Sequence, residues 1–272
     1  MARPAGRGAR TRAPDPLCAL PLLLLSGCVR SDFNLATQRQ EYTLTSTAKE
    51  VDTGRRLARR VEKELGLVLD ESVQQRVRDL GARLAAVSDR RDLIYSFAVV
   101  DDDELNAFSL PGGYIFVNSG LIKETSGDDE LAGVLAHEIA HVAARHAVKR
   151  FESGLGLQLA TIAAVATGQS QAARGVSIAS QAAQLAYARQ DELDADRLAV
   201  KYMKAAGFDP KAMLSFLEKL QEHDRGRSHY LPRGIVRPYY AQTHPYVPER
   251  IRAVKEALYG VADYIDYLNT TP

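Results

Sequence analysis

Apolar side chains recur along this chain in two periods, and the period changes with position. Val51, Leu57, Ala58, Val61 and Leu65 follow helical spacing over residues 49–65. Asp70 stands where an N-cap belongs, and Val73, Val77, Leu80, Leu84 and Val87 then form one stripe, which predicts a second helix. The pattern changes at Leu93. Residues 93–100 are rich in strand formers, and Tyr114-Ile115-Phe116-Val117 follows the Pro111-Gly112-Gly113 break, so both read as strands of a small sheet. Ser126-Gly127-Asp128-Asp129-Glu130 opens the next helix, with a capping side chain and acids suited to the positive helix end. That helix is predicted to run to about Arg150 and end near Gly154. Residues 155–166 are apolar but too few to cross a bilayer, and 167–184, rich in Gln, Ser, Ala and Gly, read as an excursion with helical parts. A helix over about 180–206 stops at Gly207, and Asp209-Pro210 caps and starts another. The proline-containing stretch 223–247 is loop-like, and Pro248-Glu249-Arg250 begins a last helix. There is no internal repeat. Residues 49–272 are therefore expected to form a single domain of the α+β class, mostly helical with a small sheet.

The first residues carry a different signature. Arg3, Arg7, Arg10 and Arg12 precede the short apolar run Leu17 to Leu25, and Leu25-Ser26-Gly27-Cys28 follows at once. This order is that of a secretory signal, expected over residues 1–27, whose apolar run is too short to span a bilayer. The LSGC tetrapeptide resembles the bacterial lipobox, in which Cys28 is acylated and becomes the first residue of the mature chain. The alternative is an ordinary signal cut near a chance cysteine. Two or three acyl chains anchor a protein stably, so the mature chain is expected to be lipid-anchored in the bacterial cell envelope, facing the periplasm. Val29 after Cys28, where an Asp would signal retention, points to the outer membrane. Residues 28–48 are polar without a clear period and read as a tether. Removing the signal takes Lys+Arg from 35 to 31 and Asp+Glu from 34 to 33, and the net charge from +1 to −2. A slightly acidic chain has no electrostatic case for nucleic acid. Cys18 leaves with the signal and Cys28 is used for lipid, so no disulfide is expected and packing must supply the stability.

The candidate chemistry lies in Ala136-His137-Glu138-Ile139-Ala140-His141. Helical positions four apart share a face, so both imidazoles can point at one ion. Zn²⁺ takes neutral imidazole well and prefers four ligands. Glu138 lies one residue on, beside the ion rather than on it, where a general base for the attacking water belongs. A catalytic zinc needs a third protein ligand and one open position. Residues 189–196, Arg-Gln-Asp-Glu-Leu-Asp-Ala-Asp, supply a candidate. Glu192 and Asp196 are four apart; Glu192 can ligate, and Asp196 can accept the outer ring N–H of a ligating histidine. Two acids on one helix face repel unless a cation is near. Alone, the first motif is a helix that happens to carry two histidines; with the second, one zinc per chain is expected. Asp191 and Asp194 lie on other faces of their helix and read as solvated. His146 lies ~140° round the helix from His141 and reads as a packing or surface histidine. His223 and His229 lack partner spacing and read as exposed.

With AHEIAH, RQDELDAD, NAFSLPGGYIFV and THPYVPERI all present, the chain resembles the gluzincin zinc metallopeptidases of the prenyl-protease, HtpX and BepA family over about residues 50–260. In size and lipobox it is most similar to the outer-membrane lipoprotein proteases of that family. The resemblance implies a zincin-type fold with His137, His141 and Glu192 as zinc ligands, Glu138 as base and acid, and Asp196 behind the ligands. It also implies that Asn106, Ala107 and Phe108 belong to an edge strand to which an extended peptide adds, although Asn106 fits a turn equally well. His244 in Thr243-His244-Pro245, with Arg250 six residues on, matches the family's late motif. A histidine or arginine there stabilises the oxyanion, or the histidine loop takes the fourth zinc position and shuts the site. The implied activity is zinc-dependent endopeptidase cleavage of unfolded or misassembled envelope proteins in extended form, with envelope assembly machinery as a partner. The alternative is a latent zinc protein, a chaperone-like envelope assembly factor with a plugged site. Neither the spanning helices of membrane-embedded relatives nor the helical-repeat extension of BepA-type members is expected here.

Overall fold

The computed structural model describes residues 30–154, 189–228 and 244–270; the expected signal, Cys28, the stretch 155–184 and His229 lie outside them. In chain order the elements are β1 (Arg30–Asn34), β2 (Arg39–Thr43), α1 (Thr47–Leu65), α2 (Glu71–Ala85), β3 (Ser96–Val100), β4 (Ala107–Leu110), β5 (Tyr114–Asn118), α3 (Ser119–Glu124), α4 (Asp128–Ala143), α5 (146–154), α6 (189–206), α7 (Lys211–Ser228) and α8 (Val247–Thr270). The fold is α+β and mostly helical, as the apolar periods require.

The helix starts follow local chemistry. Ser46 caps α1 by accepting the Lys49 N–H, and Asp70 caps α2 by accepting from Ser72 and Val73. α4 differs from expectation: its N-cap is Gly127, without a side-chain cap, and Glu130 reaches back to accept the Ser126 N–H at 2.7 Å. Every residue from Glu130 to Ala143 is buried. A helix apolar or small on all sides belongs in the middle of a core, and α4 packs against α2, α7 and β4.

Two expectations are corrected. Residues 30–43, read as part of a tether, form an antiparallel hairpin with Ser31 opposite Tyr42 and Phe33 opposite Gln40. It is held by polar groups, which apolar periodicity cannot reveal: Asn34 Nδ2 donates to the Ala143 carbonyl at 3.2 Å, and Arg145 donates to Thr43 Oγ1 at 3.3 Å. The helix expected to run unbroken to about Arg150 stops at Ala143, and Arg145 adopts φ 57° before α5 begins. A left-handed non-glycine residue costs ~1–2 kcal/mol. Here the Arg145 guanidinium offsets that cost by donating to the Thr45 carbonyl at 2.8 Å and pairing with buried Glu50 at 3.2 Å.

Glu50 ties several elements together. It also accepts from Arg90 at 3.0 and 3.1 Å and from the Gly112 N–H at 3.2 Å. Gly112, at φ 80°, lets the β4–β5 turn approach this carboxylate, and a Cβ there would lie 2.6 Å from the Val51 Cα.

The larger sheet has the order β3-β5-β4, with β3 parallel and β4 antiparallel to β5. Its two edges differ. On β3, buried Gln74 accepts the Val99 N–H and donates to the Val99 carbonyl, both at 2.9 Å, and Val68 donates to that carbonyl as well. That edge is closed. Among the described residues no strand pairs with the outer edge of β4.

Candidate active site

Three elements bring the chemistry together. α4 presents His137, Glu138 and His141, α6 presents Glu192 and Asp196, and the start of α8 brings His244 and Arg250. All seven side chains are buried. His137 Nε2 lies 3.0 Å from His141 Nε2, each is 3.3 Å from a Glu192 carboxylate oxygen, and His244 Nδ1 is 3.4 Å from His137 Nε2 and 3.2 Å from Glu192. These four residues form a group that could hold one metal ion. A tetrahedron with edges of ~3.3 Å has its centre ~2.0 Å from each corner, which is the zinc–ligand distance.

The charges argue the same way. Glu138, Glu192 and Asp196 bring three negative charges, and Arg250 brings one positive charge. With neutral imidazoles two negative charges remain, which a dication balances; uncompensated buried charge is costly. Without an ion, a proton on His137 offsets one of those charges. Burial and Arg250 push the His137 pKa down, but Asp196 and Glu192 outweigh them and hold it at about 9. Burial would raise Glu192, yet His244 and Arg250 keep it well below the usual carboxylate range.

Both α4 histidines are oriented from behind. Asp196 Oδ1 sits 2.9 Å from His137 Nδ1, and Arg250 clamps Asp196 with two contacts of 2.9 Å. His141 Nδ1 lies 2.8 Å from His146 Nδ1, and His146 Nε2 lies 3.3 Å from Asp191 Oδ1. If His141 Nε2 faces an ion, its Nδ1 carries the proton and His146 Nδ1 must accept it. His146 Nε2–H then donates to Asp191. Burial holds the His146 pKa well below its ordinary value, so a neutral ring is available.

The placements differ from the sequence reading in two respects. His146, read as a packing or surface histidine, and Asp191, read as solvated, are buried partners of a candidate ligand. The break at Arg145 turns α5 back, so His146 returns to His141 instead of lying ~140° away as on one continuous helix. No feature of the helical period signals this. Arg250, expected as an oxyanion donor, commits its guanidinium to Asp196 and, at 3.3 Å, to Glu192. The His244 ring supplies the fourth donor of the group, one of the two roles the late motif offered.

The remaining candidates lie close by. Glu138 Oε1 is buried without a hydrogen-bond partner among the described residues, 3.5 Å from His244 Nε2. Asn106 precedes β4 and its carbonyl accepts the Asn118 N–H at 2.9 Å, extending the ladder by one residue. Ala107 turns its carbonyl to the other side, where His244 Nε2 donates to it at 3.2 Å. The Phe108 ring stacks on Phe116 at 5.4 Å, and by the same alternation its backbone groups face β5, so it contributes packing and pairing while Ala107 faces the outer edge.

Comparison with known proteins agrees with this geometry. The family model "Peptidase family M48" matches residues 71–258. Similar proteins include the "Beta-barrel assembly-enhancing protease" of Escherichia coli (strain K12), 30% identical over 217 residues, covering 76% of this chain and 43% of that protein. The protein of the same name from Yersinia pestis is 30% identical over 239 residues, covering 82% and 48%. The "Mitochondrial metalloendopeptidase OMA1" of Schizosaccharomyces pombe is 32% identical over 176 residues, covering 65% and 50%. The chain spans about half the length of the curated relatives it matches. A buried donor set suited to zinc and a family match across most of the chain converge on one conclusion: the chain belongs to peptidase family M48, a family of zinc metallopeptidases.

Proposed function

We propose that this chain is a zinc-dependent endopeptidase that cleaves extended segments of unfolded or misassembled cell-envelope proteins, and that its site is shut here by His244. The observation that carries the reading is the convergence of four buried donors beside the unpartnered carboxylate oxygen of Glu138. His137, His141 and Glu192 would hold the zinc, with His244 as a displaceable fourth ligand. Zinc, when bound, supplies Lewis-acid polarisation of the scissile carbonyl and acidifies water. Glu138 takes the proton of the attacking water as its oxygen bonds to the carbonyl carbon. The same carboxyl then delivers that proton to the amide nitrogen as the C–N bond breaks. Asp196 and His146 fix the ring orientations, and Arg250 holds Asp196 and balances charge.

The edge of β4, unpaired by any strand among the described residues, accounts for a preference for extended chains. A substrate strand can pair there, whereas folded proteins have no free strand to offer. The Ala107 carbonyl is one of the acceptors such a strand would use, and His244 occupies it. Opening therefore requires His244 to leave both the ion and the strand. Envelope quality control is supported by the names of the assembly-enhancing relatives, and assembly machinery is the partner class those names suggest. Acylation of Cys28 and attachment to the outer membrane, facing the periplasm, complete the proposal; among the described residues no helix is long and apolar enough to cross a membrane.

The occupied fourth position favours one second reading: a latent zinc protein acting as an assembly factor. Peptide release from casein by wild type and Glu138→Gln decides between them. Loss of a general base lowers the rate ~10²–10⁴-fold, with one zinc per chain retained. Equal inactivity of both proteins, with both rescuing an envelope defect, would replace the hydrolase reading with the latent one.

A further inference from the structure

The β1–β2 hairpin is built inside out. An antiparallel ribbon on a protein surface normally turns its apolar face inward and its polar face to water. Here Asp32–Glu41 and Asn34–Arg39 are the pairs on one face, together with Thr43; Asn34, Glu41 and Thr43 turn to the protein, and Asp32 and Arg39 at the flanks stay exposed. This polar face is held by Asn34 on the Ala143 carbonyl, by Arg145 on Thr43 and by Lys149 on Glu41. The opposite face carries the pairs Ser31–Tyr42 and Phe33–Gln40. Phe33 is 54% exposed, Tyr42 71% and Leu44, next to β2, 47%, and Leu35 in the turn is 57% exposed. None of Ser31, Phe33, Leu35, Gln40, Tyr42 and Leu44 is charged. Four exposed large hydrophobic side chains grouped on one uncharged hairpin face mark a contact surface.

The sequence indicates what covers it. Only two residues of chain lead from Cys28 to Arg30, a reach of at most ~7 Å. We propose that the outer face of this hairpin is a membrane-docking surface, seated at the headgroup–acyl boundary of the bilayer that holds the Cys28 anchor. The proposal rests on the acylation of Cys28 argued above. Aromatic and aliphatic side chains on an uncharged face, delivered to the lipid by an adjoining anchor, suit that boundary. The polar face meanwhile grips Ala143, two residues beyond His141. Anchor, ribbon and catalytic helix then form a fixed connection, and the site works on chain segments close to the bilayer surface.

The chain contains no tryptophan, which makes a direct test available. Phe33→Trp, Tyr42→Trp and Leu69→Trp are made singly in the full-length acylated protein. Leu69, 98% exposed, lies just beyond the far end of α1, whose 19 residues extend about 28 Å from the hairpin side. Each protein is bound to phosphatidylethanolamine–phosphatidylglycerol vesicles with brominated acyl chains, and acylation of Cys28 is checked by the mass of the N-terminal peptide. Blue-shifted, bromine-quenched emission at positions 33 and 42, with unquenched emission at 69, is expected. The unacylated Cys28→Ser protein should also bind vesicles, with a partition roughly tenfold weaker when Phe33→Ser and Tyr42→Ser are added. Unquenched emission at 33 and 42 in acylated, vesicle-bound protein overturns the docking surface and leaves the anchor standing. An unmodified Cys28 with no vesicle binding overturns both. Shifted emission without vesicles, in a chain that elutes as a dimer, assigns the face to a second copy and also overturns the proposal.

Discussion

Replacing His146 by leucine tests whether the site extends beyond the residues its motifs name. The 2.8 Å contact between His141 Nδ1 and His146 Nδ1 is buried on both sides. Removing the acceptor leaves a buried ring N–H unpaired, which costs ~1–3 kcal/mol. Loss of a partner behind a metal ligand typically weakens binding ~10–100-fold, and each factor of ten is ~1.4 kcal/mol. The two routes agree, so zinc affinity of His146→Leu should fall by about one to two orders of magnitude. Competition with a chromophoric chelator measures this on folded protein, and circular dichroism of the metal-free form checks the fold. His146→Asn restores an acceptor and should recover part of the loss. A leucine variant that folds and binds zinc within twofold of wild type would refute the argument.

Other outcomes follow from the same geometry. Asp196→Asn weakens the hold on His137 and leaves Arg250 short of a charge partner, so zinc affinity should fall ~10–100-fold, read by the same competition. His244→Ala frees the fourth position and the Ala107 carbonyl, and initial rates on an extended peptide should rise several-fold; a fall would instead assign the ring a part in the chemistry. Glu50→Gln strands Arg90 and Arg145 in a buried setting and should cost about 3 kcal/mol in urea unfolding. In metal-free protein the raised His137 pKa stabilises fully below 6.5 and is lost as pH rises through about 9. The melting temperature of that form should therefore fall across this window relative to the zinc-loaded form; parallel profiles would show that His137 carries no such proton.

The sequence alone determined the parts whose cause is local. Spacing of four on a helix places His137 with His141 and Glu192 with Asp196, because helical geometry needs no knowledge of the rest of the chain. Capping at Asp70 and the apolar character of α4 are local in the same way. Tertiary structure decided what depends on distant groups. The hairpin over residues 30–43 is held by polar contacts to α4 and α5, which leave no trace in an apolar period. Arg145 breaks its helix because Thr45 and Glu50 are there to receive it, and that break sends His146 to His141. Arg250 finds two carboxylates on α6, and His244 finds both the donor group and the Ala107 carbonyl, 137 residues away in the chain. Long-range polar pairing depends on where other segments fold, and no window of sequence contains that information.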